Sequence, residues 1–171
     1  MKALVMSDSH GWDAEVKKIV DRHRYEVDAL FHCGDSELSA SSSALNEVYT
    51  VRGNCDFGTD FPEECVEDVA DMRFFVAHGH LLNVKTSEMN LIYKGMETES
   101  QIICYGHTHV PLAIQEKNMV ILNPGSMRLP RQYPKGTYVI VETKENEIEV
   151  NFYDLDGNKL ADLSKNFHIN C

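Results

Sequence analysis

The sequence has no cysteines at CxxC spacing, no apolar run long enough to cross a bilayer and no cluster of Lys and Arg. Each absence removes a class of protein. Cys33, Cys55, Cys65, Cys104 and Cys171 are odd in number and scattered, which argues against a disulfide framework and for a reducing, cytoplasmic setting. The N-terminal apolar run stops at Asp8, too short for a signal peptide or a membrane span. A formal charge of -11 without a basic cluster opposes stable attachment to polymeric nucleic acid or to an acidic membrane. It does not oppose a phosphate substrate, because bound cations can offset carboxylates locally. There is no internal repeat, no low-complexity tract and no GxxxxGK[ST] loop. The 171 residues are expected to form one domain, 1–171, with a substantial core.

What is present is a series of short apolar runs with polar tips. Leu4-Val5-Met6 leads into Ser7-Asp8-Ser9-His10, and Ala29 to Cys33 ends at Gly34-Asp35. Val48 to Val51 ends at Arg52-Gly53-Asn54-Cys55-Asp56, Arg73 to Ala77 at His78-Gly79-His80, and Ile102 to Tyr105 at Gly106-His107-Thr108-His109. Runs of this length bounded by turn chemistry read as strands. Asp13 to Arg24, with Asp13 as N-cap, and Ser87 to Thr98, burying Leu91, Ile92 and Met96, read as helices. Strands and helices alternating at this pitch favour a parallel or mixed sheet covered by helices, with the polar tips at the C-terminal edge where ligand crevices form. Gly34, Gly53, Gly79 and Gly106 mark sharp turns or close approaches.

The remainder changes character. Met119 to Leu122, Thr137 to Val141 and Glu147 to Tyr153 are strand candidates, the last two joined by a hairpin turn at Lys144-Glu145-Asn146. No helix separates them, so a second, more antiparallel sheet packed on the first is expected, followed by an exposed tail over the final dozen residues. Ser39 to Ser43 reads as a loop or helix cap, and Asn123-Pro124-Gly125-Ser126 as a tight turn.

The strand tips together supply Asp8, His10, Asp35, Asn54, His78, His107 and His109. Three oxygen donors and four imidazoles exceed one ordinary zinc site, which uses about four ligands. They suit two divalent ions roughly 3.5–4 Å apart, with Asp35 as the candidate bridge. Mixed carboxylate, amide and imidazole donors favour Mn, with Fe, Zn or Ni as alternatives, over Ca or Mg.

Asp-x-His, Gly-Asp, Gly-Asn, His and Gly-His-x-His in this order resemble the calcineurin-like metallophosphoesterase superfamily, and the chain length resembles its small bacterial and archaeal phosphodiesterases. The resemblance implies an α/β fold of two mixed β-sheets packed face to face with flanking helices, an αββα sandwich. It assigns Asp8, His10, Asp35 and His109 to a first metal and Asp35, Asn54, His78 and His107 to a second. It also implies a hydroxide held between the ions that attacks the phosphorus, with Asp35, Asn54 and His78 as catalytic residues. Many members carry a histidine after the Asn; here the position is Cys55, and a neutral thiol is a poor acid for an alkoxide. Leaving groups that need little protonation, or another acid such as His80, are expected instead.

Other residues have two readings each. His80 and Arg52 are candidate substrate contacts, against a supporting role for His80 and a surface salt bridge for Arg52. Arg128 and Arg131 could line the cleft mouth, and Trp12 could wall the site or close the core. Met72, Met96 and Met119 read as core filler, and His23, His32 and His168 as lying outside the site. The expected activity is hydrolysis of a small or accessible phosphodiester. The alternatives are phosphomonoester hydrolysis at the same site, or an inactive binding scaffold like the retromer subunit of this fold. A homo-oligomer through apolar surface of the second sheet stays open.

Overall fold

Alternate residues of the first strand, β1 (Lys2–Met6), serve two different cores. Ala3 and Val5 pack into one apolar cluster, Leu4 and Met6 into another. A strand's side chains alternate between faces, so a continuous apolar run marks a strand buried on both. The computed structural model describes residues 1–169 and shows this pattern in both of its sheets. Cys171 and the end of the expected tail lie outside the described residues.

The remaining elements, in chain order, are α1 (Asp13–His23), β2 (Ala29–His32), β3 (Val48–Thr50), β4 (Glu64–Val69), β5 (Met72–Ala77), α2 (Met89–Glu97), β6 (Ile102–Cys104), β7 (Leu112–Glu116), β8 (Met119–Asn123), β9 (Thr137–Lys144), β10 (Glu147–Asp154) and β11 (Lys165–His168). One sheet has the order β11-β10-β9-β1-β2-β3 and the other β4-β5-β6-β8-β7. In the first, β1, β2 and β3 run parallel, with Ala3 opposite Ala29 and Leu30 opposite Val48. In the second, β5, β6 and β8 run parallel, with Phe74 opposite Ile102 and Ile102 opposite Val120.

The sheets meet face to face. Phe31 of β2 and Phe74 of β5 stack with centroids 4.9 Å apart, within a cluster that also takes Val5, Val76, Cys104, Leu122, Val139 and Phe152. Val16, Ile19 and Val20 of α1 cover Leu4, Met6 and Leu30 on one outer face. Leu91 of α2 covers Phe75, Ile103, Tyr105 and Ile121 on the other. Helix, sheet, sheet and helix are therefore the layers, as the sequence led us to expect.

Several details differ. The last strands do not form a sheet of their own: β8 joins β6 in the second sheet, while β9 pairs antiparallel with β1, Val5 opposite Val139. The hairpin of β9 and β10 satisfies only one edge of each strand, and β1 offered the open edge that completed β9. The expected tail contains β11, with Phe167 opposite Ile148, and Ile169 is buried. Asp13 is the first residue of α1 rather than its cap, and Trp12 at the cap makes no side-chain capping bond. Met96 is half exposed, whereas buried Gly95 faces Met119 and Ile103. The edge strand β4 has no apolar run in the sequence, because its exposed face carries Glu64, Val66 and Asp68.

Candidate metal centre

The parallel strands deliver their polar tips to one place. Asp8 follows β1, Asp35 follows β2, Asn54 follows β3, His78 follows β5, and His107 and His109 follow β6. Asp8, His10, Asp35, His107 and His109 all hold φ between 43° and 68°, a left-handed conformation that costs about 1–3 kcal/mol for a residue with a side chain. Such strain at so many donor residues persists because the two sheets hold the tips in place. Two glycines let the tips close up. A Cβ on Gly53 would overlap the Asp35 carboxylate and amide, and one on Gly106 would overlap Ser7 Oγ and Asp8 Oδ2.

Two groups of ligand atoms result. Asp8 Oδ1 lies 3.0 Å from His109 Nε2 and 3.9 Å from His10 Nε2, and the two Nε2 atoms are 3.4 Å apart. Asp35 Oδ2 lies 3.2 Å from His78 Nε2, which is 3.2 Å from Asn54 Oδ1, and the His78 and His107 ring centroids are 5.0 Å apart. The ligand atoms of Asp35, His78 and His107 all lie within 4.8 Å of one another, as do those of Asp8, His10 and His109. A further grouping of His10, Asp35 and Cys55 within 4.8 Å links the two. All seven residues singled out in the sequence are therefore brought together.

Cations fit these groups. Asp8 Oδ2 accepts hydrogen bonds from Ser7 Oγ at 2.6 Å and His107 N at 3.1 Å, whereas buried Asp8 Oδ1 accepts none among the described residues. Three imidazoles are anchored through Nδ1, His10 to Glu37 Oε2 at 2.7 Å, His78 to the Cys33 carbonyl at 2.7 Å and His109 to the Leu129 carbonyl at 2.8 Å. Such anchoring aims Nε2 inward and is the usual support of a metal-binding imidazole.

Electrostatics agree. Burial works against the charged form of Asp35, but the bond and charge of His78 and the Cys55 N–H, at 2.7 Å, prevail and hold its carboxyl well below the ordinary range. Burial also opposes protonation of His78 and His109, yet Asp35 and Asp8 respectively raise both. Burial, with the His78 and Lys85 charges, lowers His107 to about 4. Burial and the Asp35 charge push the Cys55 thiol up to about 11, so it is neutral at physiological pH.

The secondary candidates divide. His80 Nδ1 is buried without a hydrogen-bond partner among the described residues, and its ring is 5.4 Å from that of His78 and 6.1 Å from that of His107. Arg52 instead pairs with Glu63 on the surface, the rival reading. Arg128 donates to the His10 carbonyl and sits 5.6 Å from the Trp12 ring centroid, so both residues brace the first tip.

Three supports were not legible in the sequence. The buried Asp56 carboxylate accepts from Asp35 N, Gly53 N and Glu37 N, each at 2.7 Å, and from Ser36 Oγ at 3.2 Å. His32, read as a mere strand residue, accepts from Gly34 N at 3.2 Å through Nδ1 and bonds Ser9 Oγ at 2.9 Å through Nε2. The Asn123-Pro124-Gly125-Ser126 turn braces two tips: Ser126 Oγ donates to the Asp8 carbonyl at 2.8 Å, and Asn123 Nδ2 to the Gly106 carbonyl at 2.9 Å. Only proximity in sequence to a motif pointed at Asp56, and nothing in the sequence pointed at its bonds to Asp35, Ser36, Glu37 and Gly53.

Two outcomes follow for the supports. Asp56→Ala strands three backbone N–H groups, and we expect a loss of about 3 kcal/mol or more in urea unfolding, with metal affinity about 10–100-fold weaker by titration. His32 is fully buried, and burial lowers its pKa from 6.5 to about 4. Between those values the unfolded chain takes up a proton that the folded one refuses, so stability falls as pH drops across that window. In chelator, wild type should lose about 1.4 kcal/mol per pH unit more than His32→Gln there; parallel stability curves would refute it.

Comparison with known proteins agrees with this geometry. The profile of the calcineurin-like phosphoesterase superfamily domain matches residues 1–146. The protein named probable metallophosphoesterase YsnB, of Bacillus subtilis (strain 168), is 39% identical over 163 residues, covering 95% of this chain and 96% of YsnB. Phosphodiesterase YfcE of Escherichia coli (strain K12) is 29% identical over 110 residues, 59% of this chain and 55% of YfcE. The crystal structure of a predicted phosphoesterase from Streptococcus pneumoniae superposes with a TM-score of 0.95 at 38% identity, covering 98% of this chain and 97% of that one. The chain belongs to the calcineurin-like phosphoesterase superfamily.

Proposed function

We propose that the chain is a cytoplasmic, metal-dependent phosphodiesterase that binds two divalent ions, preferentially Mn, and hydrolyses a small or accessible phosphodiester. One observation carries this reading: two donor groups, Asp8/His10/His109 and Asp35/His78/His107, lie side by side with Asp35 within reach of both. Asp8, His10, Asp35 and His109 would hold one ion, and Asp35, Asn54, His78 and His107 the other. Bound there, the ions would acidify a water and offset charge on the phosphoryl oxygens. Asp35 stays ionised across the working pH range and would be the carboxylate shared between the two ions. Asn54 contributes a neutral oxygen, and Cys33 and Leu129 carbonyls keep His78 and His109 in the tautomer that presents a lone pair. His80, whose ring lies 5.4 Å from that of His78 and 6.1 Å from that of His107, is the proposed substrate contact. The four described cysteines are free thiols, which supports a reducing compartment, and no described helix is long and apolar enough to cross a membrane.

Chelator-stripped protein should regain hydrolysis of bis(p-nitrophenyl) phosphate on adding Mn²⁺. Asp35→Asn and His109→Ala should drop to background and bind less metal. Full metal occupancy without turnover of that diester would refute the reading, and a preference for p-nitrophenyl phosphate would favour the monoesterase alternative.

Cys55 does not serve as the acid. Its thiol touches Asn54 Nδ2 at 3.3 Å and holds its proton too tightly to give it up readily. Cys55→Ala should keep turnover within about tenfold of wild type, well short of a lost general acid, while rates across a diester series should fall steeply as the leaving group becomes more basic.

A further inference from the structure

Two cavities flank the metal centre, share no lining residue and carry opposite charge. On the Asp35 side, about 420 Å³ is lined by Glu37, Cys55, Asp56, Phe57 and Asp60 among others, with no Lys or Arg. On the His107 side, about 440 Å³ is lined by Lys85, Tyr105, Thr108, Val110 and Arg131 among others. The one acid there, Glu88, accepts the Tyr105 hydroxyl at 3.3 Å.

This second groove is built onto the site. Thr108 lies between the donors His107 and His109, and Arg131 N donates to the His109 carbonyl at 3.0 Å. Acids outnumber bases in the chain, 27 to 16, and most cations are tied down: Arg24 to Asp21, Arg52 to Glu63, Arg73 to Asp68, Lys135 to Asp154. Lys85 and Arg131 make no ion pair or side-chain hydrogen bond among the described residues. In one groove beside the donor residues of an acidic protein, a guanidinium and an ammonium together suit a carboxylate or phosphoryl group.

We infer that the substrate is a phosphodiester whose retained arm ends in a second anionic group held by Lys85 and Arg131, with a neutral or cationic leaving arm over the acidic cavity. This rests on the phosphodiesterase reading and adds polarity to it. An anionic leaving arm would meet Glu37 and Asp60, whereas on the opposite side it meets two unpaired positive charges.

The test uses Mn²⁺-loaded protein and non-hydrolysable probes. Methyl(phenyl)phosphinate, whose two P–C bonds leave no ester to cleave, and its 4-carboxy and 4-phosphono analogues are compared by calorimetric Kd. The two anionic analogues should bind about tenfold tighter, the advantage shrinking as salt rises, and their order would tell carboxylate from phosphoryl recognition. In Lys85→Gln/Arg131→Gln the ratio should fall to about unity, with the fold checked by circular dichroism. In turnover, p-nitrophenyl 4-carboxyphenyl phosphate should show a lower KM than p-nitrophenyl phenyl phosphate. Equal Kd values in wild type, or a preference that survives in the double variant, would overturn the anion subsite while neutral-diester turnover left the phosphodiesterase reading standing. Loss of turnover on every diester at full metal occupancy would overturn that reading, and the substrate assignment with it.

Discussion

The Asp56 carboxylate is the point on which the site turns. It accepts hydrogen bonds from the amides of Asp35, Glu37 and Gly53 and from Ser36 Oγ, and so locks the tip of β2 to the tip of β3. An acceptor buried among that many donors is strong, and removing it would strand them without water to replace it. Asp35 lies within reach of both groups of ligand atoms, and its backbone is held by a residue outside them. Gly53 permits this closeness, since any Cβ there would collide with Asp35.

Strain and support are balanced across the molecule. Five donor residues adopt left-handed backbone angles, each disfavoured on its own. The stacked Phe31–Phe74 pair and the apolar residues around it keep the two sheets, and therefore their tips, from relaxing apart. Stability made by the core is partly offset by the site. That is the common relation between a scaffold and a preorganised centre.

Charge is arranged rather than merely abundant. The carboxylates at the centre are placed for cations, and the imidazoles near them are aimed by carbonyls and Glu37. Lys85 and Arg131, which make no ion pair among the described residues, lie to one side. An acidic protein that handles a phosphate ester needs such a division, because its overall field repels the substrate while the local field receives it.

The donor residues and the layered α/β class were readable in the sequence, for a local reason. Short apolar runs ending in Asp, Asn or His report strand, turn and side-chain chemistry within a few residues of one another. Burial on both faces of β1, β5 and β6 likewise follows from their unbroken apolar character. Tertiary structure decided what depends on distant partners. It placed β9 beside β1 and β8 beside β6, because a hairpin's free edge does not state which strand completes it. It also made Asp56, His32 and Ser126 braces of the site, and left Lys85 and Arg131 without an ion pair among the described residues. Hydrogen bonds and charge pairs between residues far apart in the chain exist only once the sheets have met, so no local pattern could announce them.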